Sequence, residues 1–335
     1  MRQGAPYDLV VIDEIHSHRR YDAARTRAVM EPGGAWEWGR QFWGLSGTPI
    51  VNSAADLWPF VWGPLRRPIM WYDWGLKFCE EMRPDGFGAI KAVGLKNQEE
   101  LADFLRPHIL RRTLAGIGVE LPPLTTNHFP VDVDPAALAT VMADLEGWTP
   151  QRLATALDEK DELHDSALAR VRKALGMAKV PAIAEYARLM IADGRGPAVV
   201  FFQHTAVREM LFDLLSVKAG HKVSWIDGKI TRKQLEAAET RFQAGKLDVL
   251  LVQTDAGGVG LTLTRANKVI VAELPWTSVG MWQAVKRVHR ITQTREVRAD
   301  VIRASDCWLE QSLATAVSRK HAASERLLTL IESRV

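Results

Sequence analysis

With 335 residues, 47% of them hydrophobic and 25% charged, the chain has the composition of a folded globular protein with room for two domain cores, which excludes a disordered polypeptide. Its formal charge of +3 hides a split: residues 1–180 carry 21 Lys and Arg against 24 Asp and Glu, whereas residues 181–335 carry 22 against 16, so the second half is the one suited to a polyanion. Cys79 and Cys307 stand far apart and His16 and His18 lack a third ligand nearby, which argues against a disulfide framework or a zinc site. No apolar run reaches the roughly eighteen residues of a membrane span and no signal peptide begins at Met1, so a cytoplasmic address without membrane partners is expected.

Tyr7 to Ile12 reads YDLVVI, a β-branched run that predicts a buried strand, and it runs directly into Asp13-Glu14-Ile15-His16. In open parallel sheets ligands bind beyond the carboxyl ends of strands, where these two acids emerge. In an NTPase the first would hold Mg²⁺ and the second would orient or deprotonate the attacking water. Phe42 to Leu45 predicts a second strand, ending in Ser46-Gly47-Thr48-Pro49, a small-residue turn whose hydroxyls could sense what occupies the first. Residues 54–115 are expected to be mainly helical and to close on LRPHILRRT, where Arg106, Arg111 and Arg112 either meet phosphates or form a solvated helix end. Seven of the twelve tryptophans fall before residue 75; core packing is expected for them ahead of stacking on unpaired bases, because large aromatics are mostly buried.

Leu121-Pro122-Pro123 breaks the pattern, a strand is expected over Asn127 to Val133, and residues 135–193 read as helical. The expected division is therefore 1–125, a connecting helical segment 126–193, and 194–335. From Pro197 strand and helix alternate (AVVFFQ, VSWID, LDVLLVQT, KVIVAEL, VRADVIR), which predicts a parallel sheet wrapped by helices. The turn from Thr254 to Thr262 is glycine-rich, and glycine lets backbone amides approach an anion closely. Gln283 to Gln293 reads QAVKRVHRITQ; if helical, it places Gln283, Arg287 and Arg290 on one face, two guanidinium forks and an amide that can converge on a phosphate. An isolated RxxR is also what a solvated amphipathic helix end shows.

Taken together and in order, these segments resemble the Swi/Snf-type helicase-like ATPases of helicase superfamily two. Asp13 to His16 resembles motif II, Leu45 to Pro49 motif III, Leu105 to Thr113 the LRPxxLRR segment, Val199 to His204 motif IV, Thr254 to Leu263 motif V and Gln283 to Gln293 motif VI. WGLKFCE at Trp74 to Glu81 and AELPW at Ala272 to Trp276 look most like the annealing-helicase, HARP-like branch. A DEAD- or DEAH-type RNA helicase fragment fits less well, because motif VI ends in RVHRITQ and motif III is SGT.

The resemblance implies an α/β fold of two RecA-like lobes with helical insertions, the first lobe truncated at its amino end, with ATP and Mg between the lobes and double-stranded or fork DNA across them. Residue by residue it implies that Asp13 coordinates Mg²⁺ and Glu14 is the catalytic base. Arg287 and Arg290 would be arginine fingers, each typically worth about 10³ to 10⁵ in rate, and Gln283 would help pair the lobes. His16, Ser46, Gly47 and Thr48 would couple hydrolysis to lobe movement, and Thr254, Gly257, Gly258, Thr262, Arg111 and Arg112 would contact DNA. Three departures stand out: Asp255 is an acid in motif V, Thr292 replaces the glycine of HRIGQ, and no GxxxxGK[ST] occurs anywhere. The expectation is a portion of an ATP-dependent DNA translocase, inactive alone and in need of a separate polypeptide with the P-loop half, with a non-catalytic DNA-binding remnant as the alternative. A first lobe without its opening strands would also leave apolar sheet surface uncovered.

Overall fold

From Ala198 onward, short, mostly apolar runs of four to eight residues are separated by amphipathic stretches of helical period, and this pattern builds the larger of two units. The computed structural model describes residues 6–84, 90–159, 166–194, 196–254 and 260–332. Contacts divide the chain into one unit of residues 1–111, 158–161 and 318–335 and a second of residues 112–157 and 162–317.

The second unit is an α/β layer structure. Its strands are β5 (Leu124–Val131), β6 (Ala198–Phe202), β7 (Val223–Ile226), β8 (Val249–Gln253), β9 (Lys268–Val271) and β10 (Val297–Ala304), in the order β5-β10-β9-β6-β8-β7, every pairing parallel. Every residue of β6 and β9 is buried, as central strands of a parallel sheet covered on both faces must be. Alternate residues serve opposite faces. Val199, Phe201, Leu250, Val252, Val269 and Val271 pack with α9 (Arg232–Gln243) and α10 (Ser278–Lys286). Val200, Phe202, Leu251 and Ile270 pack with Ile183 and Ala187 of α7 (Ser166–Ala192) and Val207 and Leu211 of α8 (Thr205–Phe212). The shorter α5 (Pro135–Ala143) and α6 (Pro150–Glu159) precede α7. The stretch 126–193, expected as a connecting segment, thus supplies most of an edge strand and a covering helix, because Leu124 to Val131 finds a parallel partner in β10.

The first unit holds β1 (Tyr7–Ile12), α1 (Ala24–Met30), β2 (Gly39–Gly44), α2 (Trp58–Trp62), α3 (Trp71–Phe78), β3 (Glu81–Pro84), β4 (Ile90–Val93) and α4 (Gln98–Leu105). α11 (Trp308–Glu332) is shared between the two divisions, residues from Ser318 onward falling in the first. Two expectations change here. The stretch 54–115 is not mainly helical: β3 and β4 form an antiparallel hairpin, and α2, α3 and α4 are short. β1 is not buried either. Among the described residues it pairs with β2 alone in a two-stranded parallel sheet, and Tyr7, Leu9 and Val11 on one face, with Trp43 of β2, stay exposed. The tryptophans divide: Trp36, Trp58 and Trp74 are buried as expected, whereas Trp38 and Trp43 are more than half exposed.

A buried ion pair ties three elements of the second unit. Lys179 of α7, with no exposed surface, donates to Glu310 Oε1 at 2.6 Å and to the Ile302 carbonyl of β10 at 2.9 Å, while Glu310 Oε2 accepts the Ala304 N–H. Removing one partner of such a pair leaves an uncompensated buried charge. Lys179→Met is expected to lower the unfolding free energy by about 3–5 kcal/mol, measured by urea denaturation, with part of the loss recovered on adding Glu310→Leu. An unchanged midpoint would show that the pair carries no such role.

Candidate functional site

In the first unit the register of β1 with β2 brings two turns together. Ile12 lies opposite Gly44, the Leu45 N–H donates to the Ile12 carbonyl and the Ile15 N–H donates to the Leu45 carbonyl, each at 2.8 Å. Asp13 and Glu14 are exposed at the end of β1, and Asp13 Oδ1 accepts the Glu14 N–H at 2.9 Å. Glu14 has φ 49, a left-handed conformation rare outside glycine, and it starts the single turn Ile15–His18 that returns His16 toward the strand ends. His16 Nδ1 stands 3.2 Å from Glu14 Oε2 and 2.9 Å from Ser46 Oγ, and Ser46 Oγ also accepts the Thr48 N–H at 3.0 Å. A carboxylate only accepts, so Nδ1 carries the proton. Burial lowers the His16 pKa, with Arg19 adding to the effect and Glu14 opposing it, so the imidazole is neutral at pH 7.

The Ser46–Thr48 turn is held from behind. Asp56, buried, accepts the N–H groups of Val51, Asn52 and Ser53 on one oxygen and fixes the segment after Pro49. Among the described residues the buried Thr48 Oγ1 has no hydrogen-bond partner, and Gly47 is exposed with open space where a side chain would stand. The described residues gather no group of three or more His, Cys, Asp or Glu, so they hold no all-protein metal cage. Mg²⁺ asks for less: one or two carboxylates plus water and phosphate oxygens. Asp13, exposed and with Oδ1 engaged only by its neighbour's amide, has donor chemistry that fits such an ion.

In the second unit the remaining candidates fall in two places: Thr254 follows β8, whereas Arg287 to Gln293 lie between α10 and β10, beside the segment that leads into β9. α10 opens at Thr277, whose hydroxyl accepts the Gly280 N–H, and ends at Lys286. The helical reading of Gln283 to Gln293 therefore holds only in its first turn: Gln283 is on the helix, Arg287 is its cap, and Arg290 lies in the turns beyond. The three do not share a helix face, and a different device orients Arg290. Its Nη1 donates to the Leu261 carbonyl at 2.9 Å and to Thr262 Oγ1 at 3.2 Å, while the Thr262 N–H donates to Glu239 at 2.7 Å. The side chain is exposed, and its other donors have no partner among the described residues.

Two polar residues inside the same segment serve the fold. Gln293, 4% exposed, donates to the carbonyls of Thr264, Ala266 and Val288 and accepts the N–H groups of Thr294 and Arg295. His289 Nδ1 lies 3.0 Å from Lys286 Nζ, which can only donate, so Nε2 carries the hydrogen given to the Pro122 carbonyl at 2.7 Å. Burial holds the His289 pKa low, in keeping with that neutral ring.

Thr254 is 6% exposed, and both its N–H and its hydroxyl donate to the Phe202 carbonyl, which commits them to the sheet. Asp255, Gly257 and Gly258 lie outside the described residues. Arg111 is engaged by carboxylates of α11, at 2.8 Å from Glu325 and 3.6 Å from Glu332; Arg106 donates to the carbonyls of Leu330 and Ile331, and Arg112 is exposed. LRPHILRRT thus packs two of its arginines onto the last turns of a helix, where free carbonyls favour cations.

A cluster that the sequence reading did not single out joins β6 to β9. Glu273, 4% exposed, accepts the N–H groups of Gln203 and His204 on Oε2 and stands 2.6 Å from His204 Nδ1 through Oε1. The signal was available: FFQH and VAEL each place a polar group directly after an apolar strand. Burial alone would raise the Glu273 pKa, but the His204 ring and the two amides outweigh it and hold the carboxyl below its ordinary value. A depressed folded-state pKa stabilises above the unfolded value, and that stabilisation is lost as pH falls through the folded one. Glu273→Gln is therefore expected to cost about 1.5–3 kcal/mol at pH 7. By denaturant titration the gap to the parent should close as pH drops below the carboxylate range; a pH-independent gap would exclude the charge as its origin.

The pattern that defines the helicase conserved C-terminal domain matches residues 181–292. The chain is 25% identical over 297 residues to the Mus musculus DNA annealing helicase and endonuclease ZRANB3, covering 87% of this chain and 27% of that protein. It is 28% identical over 297 residues to the Bos taurus SWI/SNF-related matrix-associated actin-dependent regulator of chromatin subfamily A-like protein 1, covering 87% and 30%. Among solved structures, the Sulfolobus solfataricus SWI2/SNF2 ATPase core in complex with dsDNA aligns at 20% identity and a TM-score of 0.44, covering 97% of this chain and 72% of that one. The chain spans less than a third of the length of these two curated relatives.

Proposed function

Because this chain is a Swi/Snf-type helicase-like protein of helicase superfamily two, we propose that it is a portion of an ATP-dependent DNA translocase of the annealing-helicase kind, in which DNA-stimulated ATP hydrolysis drives movement on, or remodelling of, duplex DNA. The observation that carries this reading is Arg290. One nitrogen of its guanidinium is anchored to Leu261 and Thr262 and the rest of the fork is unengaged among the described residues, so a permanent positive charge is pre-positioned by a backbone carbonyl and a hydroxyl. Such a group counters charge developing on a transferring phosphoryl without having to reorganise.

Bound Mg–ATP supplies the phosphoryl group and a charge that needs neutralising. Asp13 would hold the ion; Glu14 would orient and deprotonate water; Arg287 and Arg290 would offset phosphate charge, with Gln283 as an auxiliary amide. The His16–Ser46–Thr48 chain links the acidic turn to the Ser46 turn, so a change at Glu14 is passed to the Thr48 backbone amide. Thr262, with Gly257, Gly258 and Thr254, lies in the segment assigned to the DNA backbone, and Arg112 adds charge. Arg111 joins them only after release from Glu325.

The 335 residues contain no GxxxxGK[ST], so in this reading the grip on the β- and γ-phosphates comes from another stretch of polypeptide, and the exposed apolar face of β1 and β2 is the surface it covers. The purified chain is expected to bind duplex DNA with an affinity that falls steeply with salt and to hydrolyse no ATP. Adding a polypeptide that carries the phosphate loop should restore DNA-stimulated hydrolysis, and Arg290→Ala or Glu14→Gln should then remove it by roughly 10³-fold or more. Hydrolysis by the chain alone, abolished by Glu14→Gln, would overturn the need for a companion. Duplex binding that ignores nucleotide even with a folded companion present would instead identify a non-catalytic DNA-binding module.

A further inference from the structure

The tryptophans of the first unit are not equivalent. Trp36, Trp58 and Trp74 are buried, and each indole N–H donates to a carbonyl, those of Glu31, Ile69 and Ala54. Trp62, one helical turn after Trp58 on α2, is only partly buried, and its indole N–H has no partner among the described residues. One face of Trp62 stacks on Trp58, with centroids 5.5 Å apart and planes 18° from parallel. Trp62 also lines an open cleft of about 330 Å³ with Trp36, Glu37, Arg66, Arg67 and Pro68.

The charges at this cleft are unevenly matched. Arg66 lies over the Trp36 ring at 5.4 Å and only 4.0 Å from Glu37, too long for a hydrogen bond, and Arg67 has no ion pair among the described residues. Arg66 has φ 49, so a non-glycine residue is held in the left-handed region at the turn that presents both guanidinium groups. Strain of this kind persists where the surroundings impose it, and it clusters at ligand sites.

We infer that this cleft binds an unpaired nucleotide of a single DNA strand: the base extends the Trp58–Trp62 stack, the free indole N–H of Trp62 meets a base or phosphate oxygen, and Arg66 and Arg67 hold the flanking phosphates. Stacked indoles leave a flat apolar face that suits any base, and two arginines beside it match the spacing of base and backbone within one nucleotide. Glu37 opposes the anion, so the site takes one or two phosphates and does not act as a general polyanion trap. This inference rests on the DNA-directed reading above and adds to it a second, single-strand site on the first unit.

The test is fluorescence anisotropy of the full chain with a labelled oligothymidylate of about ten nucleotides and, separately, with a duplex. The parent should bind both. Trp62→Leu should weaken the oligothymidylate complex roughly 5- to 150-fold and leave the duplex complex unchanged, whereas Trp62→Phe should keep most of the affinity because it keeps a stacking face. Arg66→Gln with Arg67→Gln, both exposed and harmless to folding, should reduce the salt slope by about 0.7 for each phosphate no longer neutralised. Oligothymidylate binding that all these variants retain would overturn the inference, as would a parent that binds duplex but no single strand; that second result would leave the proposed function standing. A parent that binds neither would sink both, and tighter binding of oligouridylate than of oligothymidylate would reassign the site to RNA.

Discussion

Parallel pairing is the constraint on which the second unit depends. Six strands aligned in one direction deliver every carboxyl-terminal turn to the same edge, so residues far apart in sequence become neighbours without a separate device for each pair. Gln203 and His204 after β6, Thr254 after β8 and Glu273 after β9 meet there for this reason. The same constraint explains the burial of the strands, since a parallel sheet needs helices on both faces and the crossover connections supply them.

The polar residues of the second unit divide into those that hold turns and those left able to act. Gln293, His289, Thr254 and Glu273 are buried, and their donors and acceptors are committed to backbone groups or to one another, as buried polar atoms must be. Arg290 differs in kind: one nitrogen is fixed and, among the described residues, the rest of the fork is open. The fold therefore builds a rigid turn from the first group and presents the second upon it, which is how a site gains precision without being placed on a strand or helix.

The first unit shows what happens when the constraint is only half met. Its two parallel strands align the Asp13–Glu14 and Ser46–Thr48 turns well enough for His16 to bridge them, yet leave Tyr7, Leu9, Val11 and Trp43 exposed. A face of this kind is unusual for a parallel sheet, whose faces are ordinarily both covered. Nearby, tryptophans that composition assigns to a core instead split between buried indoles with bonded N–H groups and Trp62, which faces a cleft.

The alternation of apolar runs with amphipathic stretches after Pro197 determined the α/β class and the parallel sheet, because strand length and the two periodicities are local properties of the chain. Sequence order likewise sufficed to place the Asp13–Glu14 acids and the Ser46 and Thr48 hydroxyls directly after strands. What sequence could not decide was the use of each side chain. Whether Arg290 lies on a helix face or in a turn depended on where α10 lost its hydrogen bonds, at Lys286; whether Arg111 is available depended on Glu325, 214 residues away. Burial of β1 depended on what else pairs with it, and the orientation of His204 on a carboxylate 69 residues distant. These are long-range pairings, and no local propensity encodes them; only the packed structure could show which charges are satisfied and which are left to meet a ligand.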